Sequence, residues 1–120
     1  MGHKLAKLFR ATIFMACFLS AGTTLAGTYY ISKSIGSDSN TPTQAHSKIT
    51  PWAHLPGMHS CTSNCASYTP AAGDVFILMG CDVWANADLP VGWDWSGTSA
   101  NPMYIGVDKT WFNTTNCPSS

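Results

Sequence analysis

The chain has 120 residues, with six Lys and Arg against six Asp, no Glu and a net charge of zero. That length holds one small domain at most. Charged residues make up only 10%, which argues against the basic patch of a nucleic-acid binder. The 45% hydrophobic and 12% aromatic content argues against long disorder.

The balanced charge hides an asymmetry. Lys4, Lys7 and Arg10 are the only charges before Lys33, and the apolar run Ala11 to Ala21 follows them. Small residues then end in Thr24-Leu25-Ala26. This is the order of a secretory signal peptide. The apolar run falls short of the about 20 residues that a membrane span needs, so no membrane association is expected after cleavage. Thr24 and Ala26 suit the peptidase pocket, which places cleavage after Ala26 and makes residues 1–26 the signal peptide. A lipid anchor at Cys17 is disfavoured, because Phe14-Met15-Ala16 lacks the leucine and small-residue pattern of lipidation. Residues 27–120 then form a secreted, extracellular or periplasmic domain with three Lys against six Asp, a net charge of minus three.

Four Cys remain in that domain: Cys61, Cys65, Cys81 and Cys117. In an exported domain they read as two disulfides, for which three connectivities exist. Cys61–Cys65 as a local staple with Cys81–Cys117 as the long closure is the favoured pairing. His54, His59, Cys61 and Cys65 also lie close together in sequence, as metal ligands do. Export favours oxidation over thiolate–zinc ligation, so no metal is assigned. The ordinary place for such His residues is an exposed loop.

Apolar residues do not recur at helical spacing over any long stretch of the domain. Thr28-Tyr29-Tyr30-Ile31-Ser32 favours a strand. Gly36-Ser37-Asp38-Ser39-Asn40-Thr41-Pro42 reads as a turn. Thr50 as N-cap and Pro51 at the first helical position predict one or two helical turns over Trp52-Ala53-His54-Leu55, stopped by Pro56-Gly57. Residues 57–70 read as a loop. Gly73-Asp74 makes a turn into Val75-Phe76-Ile77-Leu78-Met79-Gly80, a strand apolar on both faces and so expected to be buried on both. A Trp-rich loop, residues 82–95, follows. Another turn, Ser96 to Pro102, with Gly97, Asn101 and Pro102 as its structural residues, leads into a strand over Met103-Tyr104-Ile105-Gly106-Val107. Asn113-Thr114-Thr115 has the N-glycosylation pattern, which matters only on a eukaryotic secretory route.

Three segments in this order resemble the amino end of secreted right-handed parallel β-helix proteins of the pectate-lyase-like superfamily. The first runs from Tyr30-Ile31-Ser32 through Gly36-Ser37-Asp38-Ser39-Asn40 to Pro51-Trp52-Ala53-His54-Leu55. The second, Ala72 to Gly80, is similar to the family's "PGD-x-V-x-I-x-x-G" element. The third, Ser96-Gly97-Thr98-Ser99-Ala100-Asn101-Pro102-Met103-Tyr104-Ile105, is similar to its "SGTAGNPI-x-I" element. The resemblance covers most of residues 29–107. It implies an all-β fold, the N-terminal cap and first coils of a right-handed parallel β-helix, and a role in polysaccharide binding or degradation. The family's short amphipathic helix is replaced here by Pro56-Gly57-Met58 and the Cys61/Cys65 loop. A solenoid needs about three or more repeats to bury a continuous core, so the expectation is an incomplete, truncated helix. The residues that catalyse in β-helix lyases and hydrolases lie on later coils, which leaves this chain without them.

Asp38 and Asp74 read as turn residues. Asp82, Asp88 and Asp94 are carboxylates of the kind that bind Ca²⁺ in the family, but their spacing matches no calcium loop and no cofactor is assigned. Trp93 and Trp95 flank Asp94, so on an extended segment both point to one side. With Trp84 they form a candidate sugar platform, beside the competing reading that they cover the core. A small disulfide-stapled carbohydrate-binding or surface-adhesion module is the alternative to the β-helix reading.

Overall fold

A computed structural model describes residues 25–118; most of the signal-peptide reading lies outside them. Strands β1 (Thr28–Ile31), β2 (Val75–Gly80) and β3 (Tyr104–Phe112) make one sheet, with a short helix α1 (Ser63–Ser67) and single 3₁₀ turns at Gln44–His46 and Asn86–Asp88. Both strand pairs are parallel and the order is β1-β2-β3. The chain is therefore β-rich with little helix. The sheet keeps one register at its start, with Thr28 beside Val75 and Val75 beside Tyr104. Side chains consequently stack in columns. Tyr29, Phe76 and Ile105 form one, and Ile31, Leu78 and Val107 another.

The columns are buried at one side of the sheet and open at the other. Tyr29 and Phe76 are 4% and 0% exposed, whereas Ile105 is 45% exposed. Ile31 is fully buried and Val107 is 58% exposed. The core thus sits against β1 and the inner face of β2. Tyr29 is its hub. Its ring stacks on Trp52 at 5.3 Å and on Phe76 at 5.4 Å, and meets Tyr68 at 4.8 Å. Aromatic burial of this density offsets the small size of the domain.

The turn before β2 is built as its residues require. Gly73 takes φ +87°, a region that favours glycine. Asp74 is buried, and its carboxylate accepts from the N–H groups of Gly27 and Ala71 and from the Tyr68 hydroxyl. Tyr29 in turn bonds the Tyr68 oxygen at 2.7 Å. Burial and the bonds to Asp74 and Tyr29 hold the Tyr68 hydroxyl far above the ordinary phenol range.

Both favoured disulfides are present, Cys61–Cys65 and Cys81–Cys117. The second spans 36 residues of sequence, a loop whose closure stabilises by about 4 kcal/mol in the chain-entropy model.

Four local expectations are corrected. Residues 50–55 are not helical. Trp52 donates its N–H to the Tyr30 carbonyl and accepts from the Ser32 N–H, forming a parallel bridge to Ile31. Pairing with β1 overrides the Thr50-Pro51 helix-start signal. Residues 57–70 are not all loop, since α1 lies within them; the Asp38 carbonyl accepts the Cys65 N–H and seats it. The third strand runs on to Phe112 past a bulge beside Met79 and Gly80. Finally, β2 is less buried than expected: Phe76 alone is enclosed, while Leu78 on its face and Val75, Ile77 and Met79 on the other are half-buried.

Candidate functional site

The densest polar constellation joins the first turn to the Trp-rich loop. Asp38 is almost fully buried. One carboxylate oxygen accepts from the N–H groups of Ala53 and His54, at 3.1 and 3.0 Å. The other lies 2.7 Å from His54 Nδ1 and also accepts from the Thr62 N–H and hydroxyl. On the far side of the ring, Lys33 Nζ is 2.8 Å from His54 Nε2 and 3.2 Å from the Asp88 carboxylate. An ammonium only donates. Nε2 is therefore the acceptor, and Nδ1 carries the proton given to Asp38. Burial opposes ionisation of Asp88, but the bonds from Lys33 and the Ala85 N–H outweigh it and hold the carboxyl below its usual range. The imidazole is thus clamped in one tautomer between two carboxylates and one ammonium.

That cluster corrects one expectation. His54 is a buried, fully bonded residue and not an exposed loop position, because the Asp38 turn folds over it. The grouping of His54, His59, Cys61 and Cys65 is not a metal site. The two Cys are joined in a disulfide, and both His54 nitrogens face Asp38 and Lys33. Among the described residues, no three His, Cys, Asp or Glu side chains are grouped to hold a metal ion.

The three acidic residues of the Trp-rich loop separate. Asp88 closes the Lys33–His54 cluster. Asp82 accepts from the Ser32 hydroxyl at 2.7 Å, the Ser34 hydroxyl at 2.8 Å and the Asn113 amide at 3.0 Å. Burial pushes the Asp82 carboxyl up, yet these bonds bring it below the ordinary value. Asp94 alone stays in solvent. The Asn113 amide nitrogen, the atom that the sequence pattern marks for a glycan, is engaged with Asp82.

Of the three tryptophans, two pack half-buried against the core. Trp84 donates its indole N–H to the Ala53 carbonyl at 3.0 Å, and Trp93 meets Phe76 edge-on at 5.7 Å. Trp93 and Trp95 do lie on one side, 5.1 Å apart, but their planes cross at 82°. They make a corner rather than a flat plate. Gly97 closes the following turn, where a Cβ would press on Met103 N and the Asn101 carbonyl; the Asn101 N–H is bonded to Thr98 and Pro102 leads into β3.

A second aromatic group was not visible in the sequence. On the outer face of the sheet, the rings of Tyr30 and Trp111 meet at 5.4 Å. Lys48 Nζ lies 5.5 and 5.9 Å from their centroids and 2.5 Å from Asp108. Hydrogen bonds from Lys48 and Thr110 hold the Asp108 carboxyl down at about 2. Only the hint that Tyr30 lies in a strand was legible; nothing local links it to residues 48, 108 and 111.

No protein-family model matches this sequence, and no curated protein is significantly similar to it. The two disulfides point to a compartment outside the reducing cytoplasm. No helix among the described residues is long and apolar enough to cross a membrane.

Proposed function

We propose that this chain is the amino-terminal cap and first coils of an exported right-handed parallel β-helix protein associated with polysaccharide, and that the isolated chain is not catalytically competent. One observation carries the reading. The three strands stack in sequence order, parallel and in register, with columns that are buried at β1 and open at β3. That is how a coil presents its inner side chains to the next coil. The likeness of residues 29–107 to the pectate-lyase-like elements adds polysaccharide as the partner class, and the two disulfides suit export.

Polysaccharide affinity electrophoresis of the purified chain, with a parallel assay for chain cleavage, tests this. Retardation by at least one polysaccharide without cleavage is the expected result. No retardation by any member of a broad panel would remove the carbohydrate association, and cleavage would remove the claim that the chain is inactive.

A second reading is a self-sufficient carbohydrate-binding or surface-adhesion module. It draws support from the half-exposed Trp95 beside the exposed Asp94. Under it, Trp95→Ala abolishes saccharide-dependent quenching of tryptophan fluorescence. The β-helix reading places no such demand on Trp95.

A further inference from the structure

Asp74 is a fully buried carboxylate, and none of the ion pairs among the described residues includes it. Its Oδ2 is satisfied by the Tyr68 hydroxyl at 2.6 Å and the Ala71 N–H at 2.8 Å. Its Oδ1 faces the backbone nitrogen of Gly27 at 2.9 Å. A buried charge met only by neutral donors is costly. Gly27 is also the residue that follows the expected cleavage point, and Leu25 and Ala26 before it are exposed.

We propose that hydrolysis of the Ala26–Gly27 peptide bond converts the Gly27 nitrogen into an α-ammonium that pairs with Asp74, so that export processing itself completes the charge pair at the base of the sheet. The inference rests on the exported reading above. The chemistry is simple hydrolysis by a peptidase that selects small residues at Thr24 and Ala26. Water adds to the Ala26 carbonyl carbon, the bond to the Gly27 nitrogen breaks, Ala26 leaves as a carboxylate and the freed amine takes up a proton.

The surroundings fix that nitrogen in place. The Gly27 carbonyl accepts the Val75 N–H at 2.9 Å, so residue 27 is already tied to the start of β2. The His46 ring, bonded through Nδ1 to the Thr28 carbonyl, lies close against Gly27, so that a Cβ there would have to displace it. One ammonium proton points at Asp74. The others face the side from which exposed residues 25 and 26 depart, where water can solvate them. The bond to Asp74, until then charged only on the carboxylate side, becomes one between two opposite charges.

The titratable groups around the new amine are Asp74, the Tyr68 and Tyr29 hydroxyls and His46. Burial raises both phenols above their ordinary range, which keeps them neutral where the amine titrates. An α-amine ordinarily titrates near about pH 8, and Asp74 would raise it. Its stabilisation is therefore complete below the unfolded amine's value and lost as pH rises through the folded one.

The test expresses the full chain in an exporting host, determines the first residue of the product by mass spectrometry, and compares its melting temperature with that of the α-acetylated product. The expected product begins at Gly27. Acetylation should lower its melting temperature by about 4 °C or more at pH 7, and the gap should close as the pH is raised through the amine's range. In Asp74→Asn, acetylation should change nothing; if that variant does not fold, the pH dependence decides. A product that begins elsewhere overturns the inference but leaves export standing. Absence of export or processing removes both. A Gly27 product that melts identically with and without acetylation at every pH overturns the ion pair alone.

Discussion

Asp38 and His54 are joined twice, by the backbone N–H of His54 at 3.0 Å and by its Nδ1 at 2.7 Å. Through the same carboxylate, Asp38 also holds Ala53 and Thr62. One buried side chain therefore gathers the first turn, the bridge after Trp52 and the approach to α1. Asp38→Ala strands these buried donors and should cost about 3–5 kcal/mol, since each unsatisfied buried donor costs about 1–3 kcal/mol. The exposed Asp94→Ala should stay within about 0.5 kcal/mol. Urea unfolding of both variants at neutral pH checks the contrast, and equal effects would mean that the Asp38 network is not structural.

The sequence carried the parts of the fold that depend on neighbouring residues. The Gly73-Asp74 turn, the apolar run from Val75 and the favoured disulfide pairing all stand in the structure. Long-range polar pairing was hidden. Nothing within a few residues of His54 announces Lys33 or Asp88, and so an exposed loop position was the natural expectation. Trp52 shows the reverse error. Its local signals are those of a helix start, but hydrogen bonds to Tyr30 in β1 and Ser32 just after it outweigh them. The outer group of Tyr30, Lys48, Asp108 and Trp111 is assembled wholly by strand register and so leaves no local trace.

The burial gradient along the columns predicts unequal costs. Phe76→Ala empties a fully enclosed site against Tyr29 and Trp93 and should destabilise by about 3–5 kcal/mol. Ile105→Ala lies in the same column but is 45% exposed, so its cost should be about 1 kcal/mol. Thermal melts of the two variants measure the ratio. Comparable losses would show that β3 is covered in solution.

Asp108 gives a pH signature. Its carboxyl titrates at about 2 when folded, below the value of about 3.9 for an unperturbed Asp. Its contribution to stability is therefore present above the unfolded value and is lost as pH falls from about 4 towards 2. Asp108→Asn should flatten the stability profile in that acid window and lower neutral stability by the same amount, a small one since both partners are partly exposed. An unchanged acid slope in the variant would show that Lys48 is not paired with Asp108 in solution.

The outer edge of β3 predicts self-association. The Tyr104 N–H bonds the Asp74 carbonyl, so in a parallel ladder Tyr104, Gly106 and Asp108 face β2, and Ile105 and Val107, before the bulge, turn their N–H and C=O groups outward. This edge is apolar, with Tyr104, Ile105 and Val107 all exposed, and neither outward residue carries a charge. A second copy can pair antiparallel about Gly106, which sets each Ile105 against the other copy's Val107 and keeps the two Asp108 side chains apart. The full chain should therefore show concentration-dependent dimers by analytical ultracentrifugation. Val107→Pro removes an outward N–H that the β2 ladder does not use, a position that an edge strand tolerates. It should shift the chain towards monomer while leaving its circular dichroism unchanged. A dimer that persists with undiminished affinity in Val107→Pro would place the contact elsewhere, for instance on the exposed Val83 and Leu89.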